Sequence, residues 1–419
     1  MRPGLNHDSA AGVVVLKSVA TSPHHGVLGI ARSLGRLGVQ VHIASPDRAA
    51  ETRSRFARRW FAWTLEDGGE SLARLEAIAD ELGGGQVLVP VDDSAAAFVD
   101  RHADSLGDRF AFPRQPRDLV RTLSSKRALH DLCRSHEVPT PHSAFPESEA
   151  VAEAYGRDIG YPVVVKRAEG WRPVRRANAP SVIIAHDPAA LRRAYADLNG
   201  RDGPNAVLQE YIPGDARSIW MFNGYFDEGS DCLFHATGQK IRQAPPHTGA
   251  TTLGVCRANA EVATTTKRLF KALGYRGIVD LGYRFDARDG AYKLLDVNPR
   301  IGSTFRLFAT RDGVDVLRCL YRDLSGQPVR SSAPEDGRTW LVEDLDLLSS
   351  LRYHRAGTLS MRQWLSSMRG VDELAWYAAD DLAPAAALIR FRAAQTVRRR
   401  PFRRASRMGE PASERSDDP

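Results

Sequence analysis

The sequence predicts an α/β region joined to an α+β region: a small parallel, doubly wound sheet first, then a domain built on an antiparallel sheet. Three observations lead there. Strand-like and helix-like patterns alternate between residues 12 and 110, the rhythm of a parallel sheet with helical crossovers. From Pro113 onward the texture changes, and strand patterns begin to follow one another directly. The 419 residues, 42% hydrophobic and 26% charged, suffice for two or three soluble domains with substantial cores.

In chain order, residues 13–16 (VVVL) read as a buried strand. Residues 25–37 read as a helix ending at Gly38, and 39–44 as a second strand. A helix follows near 70–82, then a strand at 86–91. Residues 119–136 read as one helix, followed by a proline-marked loop at 138–141. Strands are predicted at 162–166, 181–185 and 206–210, with a helix at 188–198 between the last two. Strands at 218–225 and 232–238, a helix at 260–273, and strands at 277–285 and 291–297 complete this part. Changes in pattern and composition set expected domains at 1–112 and 113–330, a helical extension at 331–389, and a basic, disordered tail at 390–419.

Bulk properties exclude several classes. No run of about 18 apolar residues occurs and the N-terminus lacks a signal-peptide core, so a cytoplasmic location is expected. Cys133, Cys232, Cys256 and Cys319 are far apart with no CxxC pair, which indicates neither a zinc site nor a disulfide framework. The net charge of +7 resides at one end: residues 390–407 hold eight arginines and no acid, and without them the charge is −1. Nucleic acid is therefore not an expected partner, while weak contact of the arginine tail with an anionic membrane is a reading to keep.

The most informative stretch is YKLLDVNPR, where Asp296, Asn298 and Arg300 stand at alternate positions of a strand end. Alternate residues project to one face. A carboxylate and an amide oxygen suit Mg²⁺, and a guanidinium can fork onto phosphate. The same residues also read as a strand meeting a turn, and the two readings stay open on periodicity alone. Lys166 ends the strand YPVVVK and Lys126 opens a helix in SSKRALHDLC; a lysine in such a place can meet phosphate as a point charge or be a solvated terminus. VLQEYIPG runs from a strand into a Pro-Gly turn and leaves backbone groups free to pair with a purine edge. The turn at 22–26, with Gly26, could bind an anion at a helix N-terminus. Asp92 and Asp93 end a strand where open sheets bind ligands, or cap the next helix.

Taken in order, SLGRLGV, SSKRALHDLCRSHEVPTP, YPVVVK, VLQEYIPGD, TGQKIRQAPPHTGATTLG and YKLLDVNPRIGSTFRLF resemble the ATP-grasp superfamily, and within it carboxylate-amine ligases similar to D-aspartate ligases. The resemblance spans roughly residues 26–308. It implies an N-terminal doubly wound pre-ATP-grasp domain and an antiparallel-sheet nucleotide-binding domain with a lid at about 140–212. Lys126 and Lys166 would bind ATP phosphates, Glu210 would accept from the adenine amino group, and Gln209, Tyr211 and Ile212 would complete the hinge. Asp215 is the nearest acid to the ribose-binding position. Asp296 and Asn298 would hold Mg²⁺, or Mn²⁺ in its place, and Arg300 would stabilise the transferring phosphoryl charge. Lys240 and Arg242, in a loop expected at 239–252, would face phosphate or acyl phosphate.

Three departures stand out. Gly282 occupies the position of the family's first acidic metal ligand, and Asp280, two residues earlier on the same strand face, is the substitute expected to reach the metal. Asp296 replaces a more frequent glutamate. The phosphate-covering loop, 169–180, carries Arg172, Arg175 and Arg176 where glycines are usual. The resemblance implies an ADP-forming amide ligase acting on a small-molecule carboxylate and an amine, one of them an amino acid, with a homodimer as the usual assembly. The alternative is an ATP-binding protein with weakened or lost catalysis. Arg306 is the preferred carboxylate clamp, with His24, His25, Asp92 and Asp93 as further pocket candidates.

Overall fold

A computed structural model of the protein describes residues 11–20, 23–66, 69–169, 180–199, 203–329 and 332–405, with side chains described to residue 395. The first region contains β1 (Val13–Leu16), α1 (His25–Gly35), β2 (Val41–Ser45), β3 (Ala57–Ala62), α2 (Glu70–Glu81), β4 (Gln86–Pro90), α3 (Asp93–Arg101), α4 (Ala103–Leu106) and β5 (Phe110–Ala111). They form a five-stranded sheet in the order β3-β2-β1-β4-β5, every pair parallel. The sheet is doubly wound because β1 is apolar on both faces. Val13 and Val15 pack with Val27, Ile30 and Leu34 of α1, whereas Val14 and Leu16 pack with Leu75 of α2 and Phe98 of α3.

Next come α5 (Leu119–Ser124), α6 (Lys126–Ser135), β6 (Ser143–Ala144), α7 (Glu149–Ile159), β7 (Val163–Arg167), β8 (Val182–Ala185), α8 (Pro188–Leu198) and β9 (Ala206–Glu210). The single helix expected at 119–136 is two, because Ser125 adopts an extended conformation and caps α6 through its side chain. Strands β6-β9-β7-β8 make a four-stranded antiparallel sheet. Val163, Val165, Ala206 and Leu208 pack its inner face on α7 and α8, leaving Val164, Lys166 and Gln209 on the opposite face.

The largest sheet is formed by β10 (Ile219–Phe226), β11 (Cys232–Ala244), β12 (Ala250–Cys256), β13 (Gly277–Asp286), β14 (Ala291–Asn298), β15 (Thr339–Leu341) and β16 (Glu373–Leu374). Helices α9 (Ala260–Ala272), α10 (Val316–Leu324), α11 (Glu343–Arg355), α12 (Met361–Ser367) and α13 (Ala383–Ala405) surround it. The strand order is β14-β13-β10-β11-β12-β15-β16. β10 is buried throughout and its alternate residues serve two cores: Met221 and Tyr225 face the N-terminal region, Trp220, Phe222 and Phe226 face α9. The first of these cores also takes in Phe305, Leu307, Trp340 and Trp376, so the N-terminal sheet, the large sheet and the C-terminal segment share one apolar interior.

Several sequence expectations need correction. β3 went unrecognised because Arg58 and Arg59 interrupt its apolar pattern at an exposed sheet edge. The loop expected at 239–252 is a long hairpin, with β11 continuing to Ala244 and β12 starting at Ala250. The expected helical extension adds β15 and β16 to the large sheet. Helix α13 runs to Ala405, through the start of the segment expected to be disordered from 390. Residues 170–179, with Arg172, Arg175 and Arg176, and Ser22 of the glycine-bearing turn lie outside the described residues. Among the described residues no helix is long and apolar enough to cross a membrane.

Candidate active site

The cleft between the four-stranded sheet and the large sheet is where the polar faces of both meet. It has a volume of about 430 Å³ and is lined by Lys166, Gln209, Glu210, Tyr211 and Ile212 from one wall and by Lys240, Asp280, Gly282, Arg284, Asp296, Asn298 and Arg300 from the other. Strand register explains the second wall. β13 and β14 pair antiparallel with Asp280 opposite Asn298 and Gly282 opposite Asp296, so the period-two alternation that buries Val279, Leu281 and Tyr283 turns the intervening residues into the cleft. A bulge at Leu295, where the register shifts between Gly282 and Tyr283, turns the end of β14.

The charges there are coupled. Lys126 at the first position of α6 donates to Asp296 Oδ1. Burial opposes ionisation of Asp296, but Lys126, Lys166 and Arg300 outweigh it and hold the carboxyl below its ordinary value. Asp280 goes the other way: burial raises it to about 6, against the pull of Arg300, with the Asp296 charge adding to the rise. Asn298 Nδ2 donates to Asp280 Oδ2 at 3.2 Å. Desolvation and the Lys126 charge lower Lys166 to about 8. Desolvation also lowers Lys240 to about 8, against Asp280 and Asp296, and its Nζ donates to Gly249 O at 3.0 Å. Arg300 spans the cleft mouth, its Nε donating to Asp93 Oδ1 at 2.7 Å and one terminal nitrogen to Asn298 Oδ1 at 3.3 Å.

These oxygens suit a hard divalent cation. Among the described residues no group of three or more His, Cys, Asp or Glu is disposed to hold a metal, so two carboxylates and an amide would depend on ligand oxygens for the remaining positions, the usual arrangement for Mg²⁺ with a polyphosphate. Gly282 leaves open space beside them: a Cβ there would meet nothing within 4 Å.

Other expected site residues are placed elsewhere. Arg242 points away from the cleft into a buried bidentate pair with Asp346, at 2.8 and 2.9 Å; the bulged register of β11 at Lys240–Gln243 separates it from Lys240. Arg306 is buried between Glu373 and Asp315, which accept from its three guanidinium nitrogens, so it has no fork left for a substrate carboxylate. Both Glu210 oxygens are taken, one by His142 N–H and Lys293 and the other by Arg288, so its carboxylate is not free to accept from an adenine amino group. Asp215 is exposed and caps the short turn Ala216–Ser218. His25 packs on Trp340 and Trp376 rather than into the cleft, and burial lowers it to about 4. Its neighbour His24 caps α1. Asp92 caps α3 and accepts from Ser18, while Asp93 holds Arg300.

Sequence reasoning missed Arg284 and Gln243, both on the cleft wall. Arg284 follows Asp280 and Gly282 at the same spacing of two, so the rule that singled out Asp296, Asn298 and Arg300 would have found it. Its guanidinium lies 6.0 Å from the Tyr211 ring centre and donates to Gly214 O at 2.7 Å.

A four-stranded antiparallel sheet and a larger, mainly antiparallel sheet that meet at a cleft with lysines on both walls, beside a doubly wound N-terminal sheet, make this an ATP-grasp fold. No family model matches the chain. Among curated proteins it is similar to D-aspartate ligase of Enterococcus faecium, 22% identical over 249 residues that cover 57% of this chain and 58% of that protein; the chain thus spans little more than half the length of this relative. Among solved structures it resembles the L-amino acid ligase of Bacillus licheniformis, with a TM-score of 0.56 and 17% identity over 78% of each chain. The biotin carboxylase domain dimer of Hydrogenobacter thermophilus 2-oxoglutarate carboxylase, solved with MgADP and bicarbonate, gives 0.56 and 16% over 79% of this chain and 74% of that one.

Proposed function

We propose that the protein is an ATP-dependent ligase that activates a carboxylate as an acyl phosphate and joins it to an amine, releasing ADP and phosphate. The observation that carries the reading is the convergence of Lys166, Lys240, Arg300 and the Asp296–Asn298 strand end on one cleft. A carboxylate oxygen attacks the γ-phosphorus while the bond to the β,γ-bridging oxygen breaks. The amine nitrogen then attacks the acyl carbon, phosphate leaves, and the nitrogen loses a proton. The first step gathers negative charge on the transferring group, and catalysis is positioning plus charge stabilisation.

Lys166 and Lys240 would neutralise phosphate oxygens from opposite walls, and Arg300, aimed by Asp93, would meet the transferring phosphoryl group. Asp296, Asn298 and Asp280 would hold Mg²⁺, which when bound offsets polyphosphate charge. The names of the D-aspartate and L-amino acid ligases support an amino acid as one reactant. The test is ADP release across a panel of amino acids and amines: turnover should require both a carboxylate and an amine. Lys166→Ala and Asp296→Ala should each lower it at least about a hundredfold, in keeping with several kcal/mol of charge stabilisation; undiminished turnover in both variants would sink the assignment.

Gly282 favours a second reading, an ATP-binding protein with weakened catalysis, because the wall beside Asp296 is open where an acid could stand. Gly282→Asp distinguishes the two. A protein that binds ATP but forms ADP only in this variant is a binder with an incomplete metal site.

A further inference from the structure

We propose that the outer edge of the N-terminal sheet carries a second anion site, for a ligand bearing phosphate groups, formed by Arg48, Arg53, Arg58 and Arg59 around Thr52 and Trp60. These residues line one concavity and share none with the cleft between the large sheets. The site therefore stands apart from the proposed ligase reaction.

Four exposed guanidiniums with no carboxylate in the lining form a strongly positive surface. Among the described residues Glu81 pairs with Arg59, and Arg48 lies over the Trp60 ring at 4.6 Å. The side chains of Arg53 and Arg58 have neither an ion pair nor a hydrogen bond among the described residues. The backbone brings the charges together. β3 pairs with β2 through Ala57 opposite Val41 and Arg59 opposite His42, so Arg58 is the extra residue of a β-bulge. A bulge re-aims its side chain and is frequent beside functional sites; here it sets two consecutive arginines on the exposed edge, facing the turn Ala50–Arg53. The positive field reaches the interior: burial, together with Arg59 and Arg58, lowers the nearly buried His42 below its ordinary value.

Charged edge strands also guard against edge-to-edge pairing. A bulge serves that role too, but edge protection needs no concavity, and one pair of exposed charges would serve it. Guanidiniums held together with their donors unspent are suited to phosphate oxygens, which they meet in bidentate fashion. The phosphate can come from a free polyphosphorylated compound or from phospholipid headgroups.

The full-length protein is titrated with sodium tripolyphosphate by calorimetry, and sedimented with phosphatidylglycerol-containing vesicles, at about 0.15 M salt where distant surface charges are screened. Wild type is compared with the double variant Arg53→Gln, Arg58→Gln. The expected result is at least a tenfold loss of affinity in one or both arms, with the thermal midpoint unchanged. Loss with tripolyphosphate alone identifies a free phosphate compound, and loss with vesicles alone identifies a headgroup. Arg48→Gln, whose guanidinium already lies over the Trp60 ring, should give a smaller loss in the same arm. Because each comparison is between wild type and variant, binding in the cleft or through α13 cancels. Equal binding by wild type and double variant in both arms, or no binding in either, overturns the proposal; increased self-association as the sole effect would leave edge protection as the arginines' role.

Discussion

At the residue scale, burial brings the two cleft lysines toward the neutral range. Lys166 and Lys240 both fall from 10.5 to about 8 because burial disfavours the ammonium. Each is therefore cationic below about pH 8 and loses its proton as pH rises through that value. Bound phosphate would restore the cation, so the free protein's parameter should show the effect: kcat/KM for ATP should fall above pH 8 with a slope approaching two decades per unit, while kcat falls at higher pH. A kcat/KM profile flat to pH 9.5 would mean that these ammonium groups do not meet ATP. Asp93 makes a second residue-scale prediction. Among the described residues its side chain hydrogen-bonds to Arg300 alone, so Asp93→Asn should lower kcat about tenfold with little change in ATP KM, the pattern of an interaction felt mainly in the transition state. An effect on KM alone would assign Asp93 a different role.

At the scale of elements, alternation along strands does most of the sorting. β7, β13 and β14 each bury one set of side chains and turn the other into the cleft, which is why YPVVVK and YKLLDVNPR could be read from sequence. The hairpin β11–β12 was not legible in the same way. Its bulges at Lys240–Gln243 break the period of two, so Lys240 and Arg242, two apart in sequence, serve different places: one the cleft, the other Asp346 on α11. Asp346 accepts from Arg242, Thr252 and Trp364 as well as Ser350, and both members of the pair are nearly inaccessible, at 6% and 1%. Arg242→Ala should therefore destabilise the protein by about 3–5 kcal/mol, the cost of stranding a buried carboxylate, seen as a lower denaturant midpoint. A shift below about 1 kcal/mol with loss of turnover would return Arg242 to the cleft. Glu210 and Arg306 follow the same logic. Their residue types suited the roles expected of them, but neighbours from distant segments, Arg288 and Lys293 for one and Glu373 and Asp315 for the other, had already taken their hydrogen-bonding capacity.

At the scale of the whole molecule, the C-terminal segment ties the parts together. Arg32 of α1 is buried and donates to Asp381, Ala375 O and Trp376 O, while Asp381 also accepts from Ser54 and the Arg55 N–H. Residues more than three hundred positions apart thus close the N-terminal domain against the segment that continues the large sheet. Asp381→Ala should cost about 3–5 kcal/mol and raise hydrogen exchange in both α1 and residues 373–382. Increased exchange confined to the C-terminal segment would show that the two do not unfold as one unit. The Arg300–Asp93 pair crosses between the same regions at the cleft, so the proposed catalytic arginine depends on domain packing as well as on its own strand.

The sequence alone determined the two sheet regions and most of their strands, where polar residues break the apolar runs at strand ends, and which ordered motifs resemble ATP-grasp proteins, because alternation, turn chemistry and motif order are local properties of the chain. Tertiary structure decided which of the candidate side chains were still available to a ligand. Asp296, Asn298, Lys166 and Lys240 face one cleft because three strands from two sheets present their polar faces there. Arg242, Arg306, Glu210 and Asp215 are engaged by partners that local pattern does not reveal. A charged group's role depends on what neutralises it, and that partner can lie anywhere along the chain.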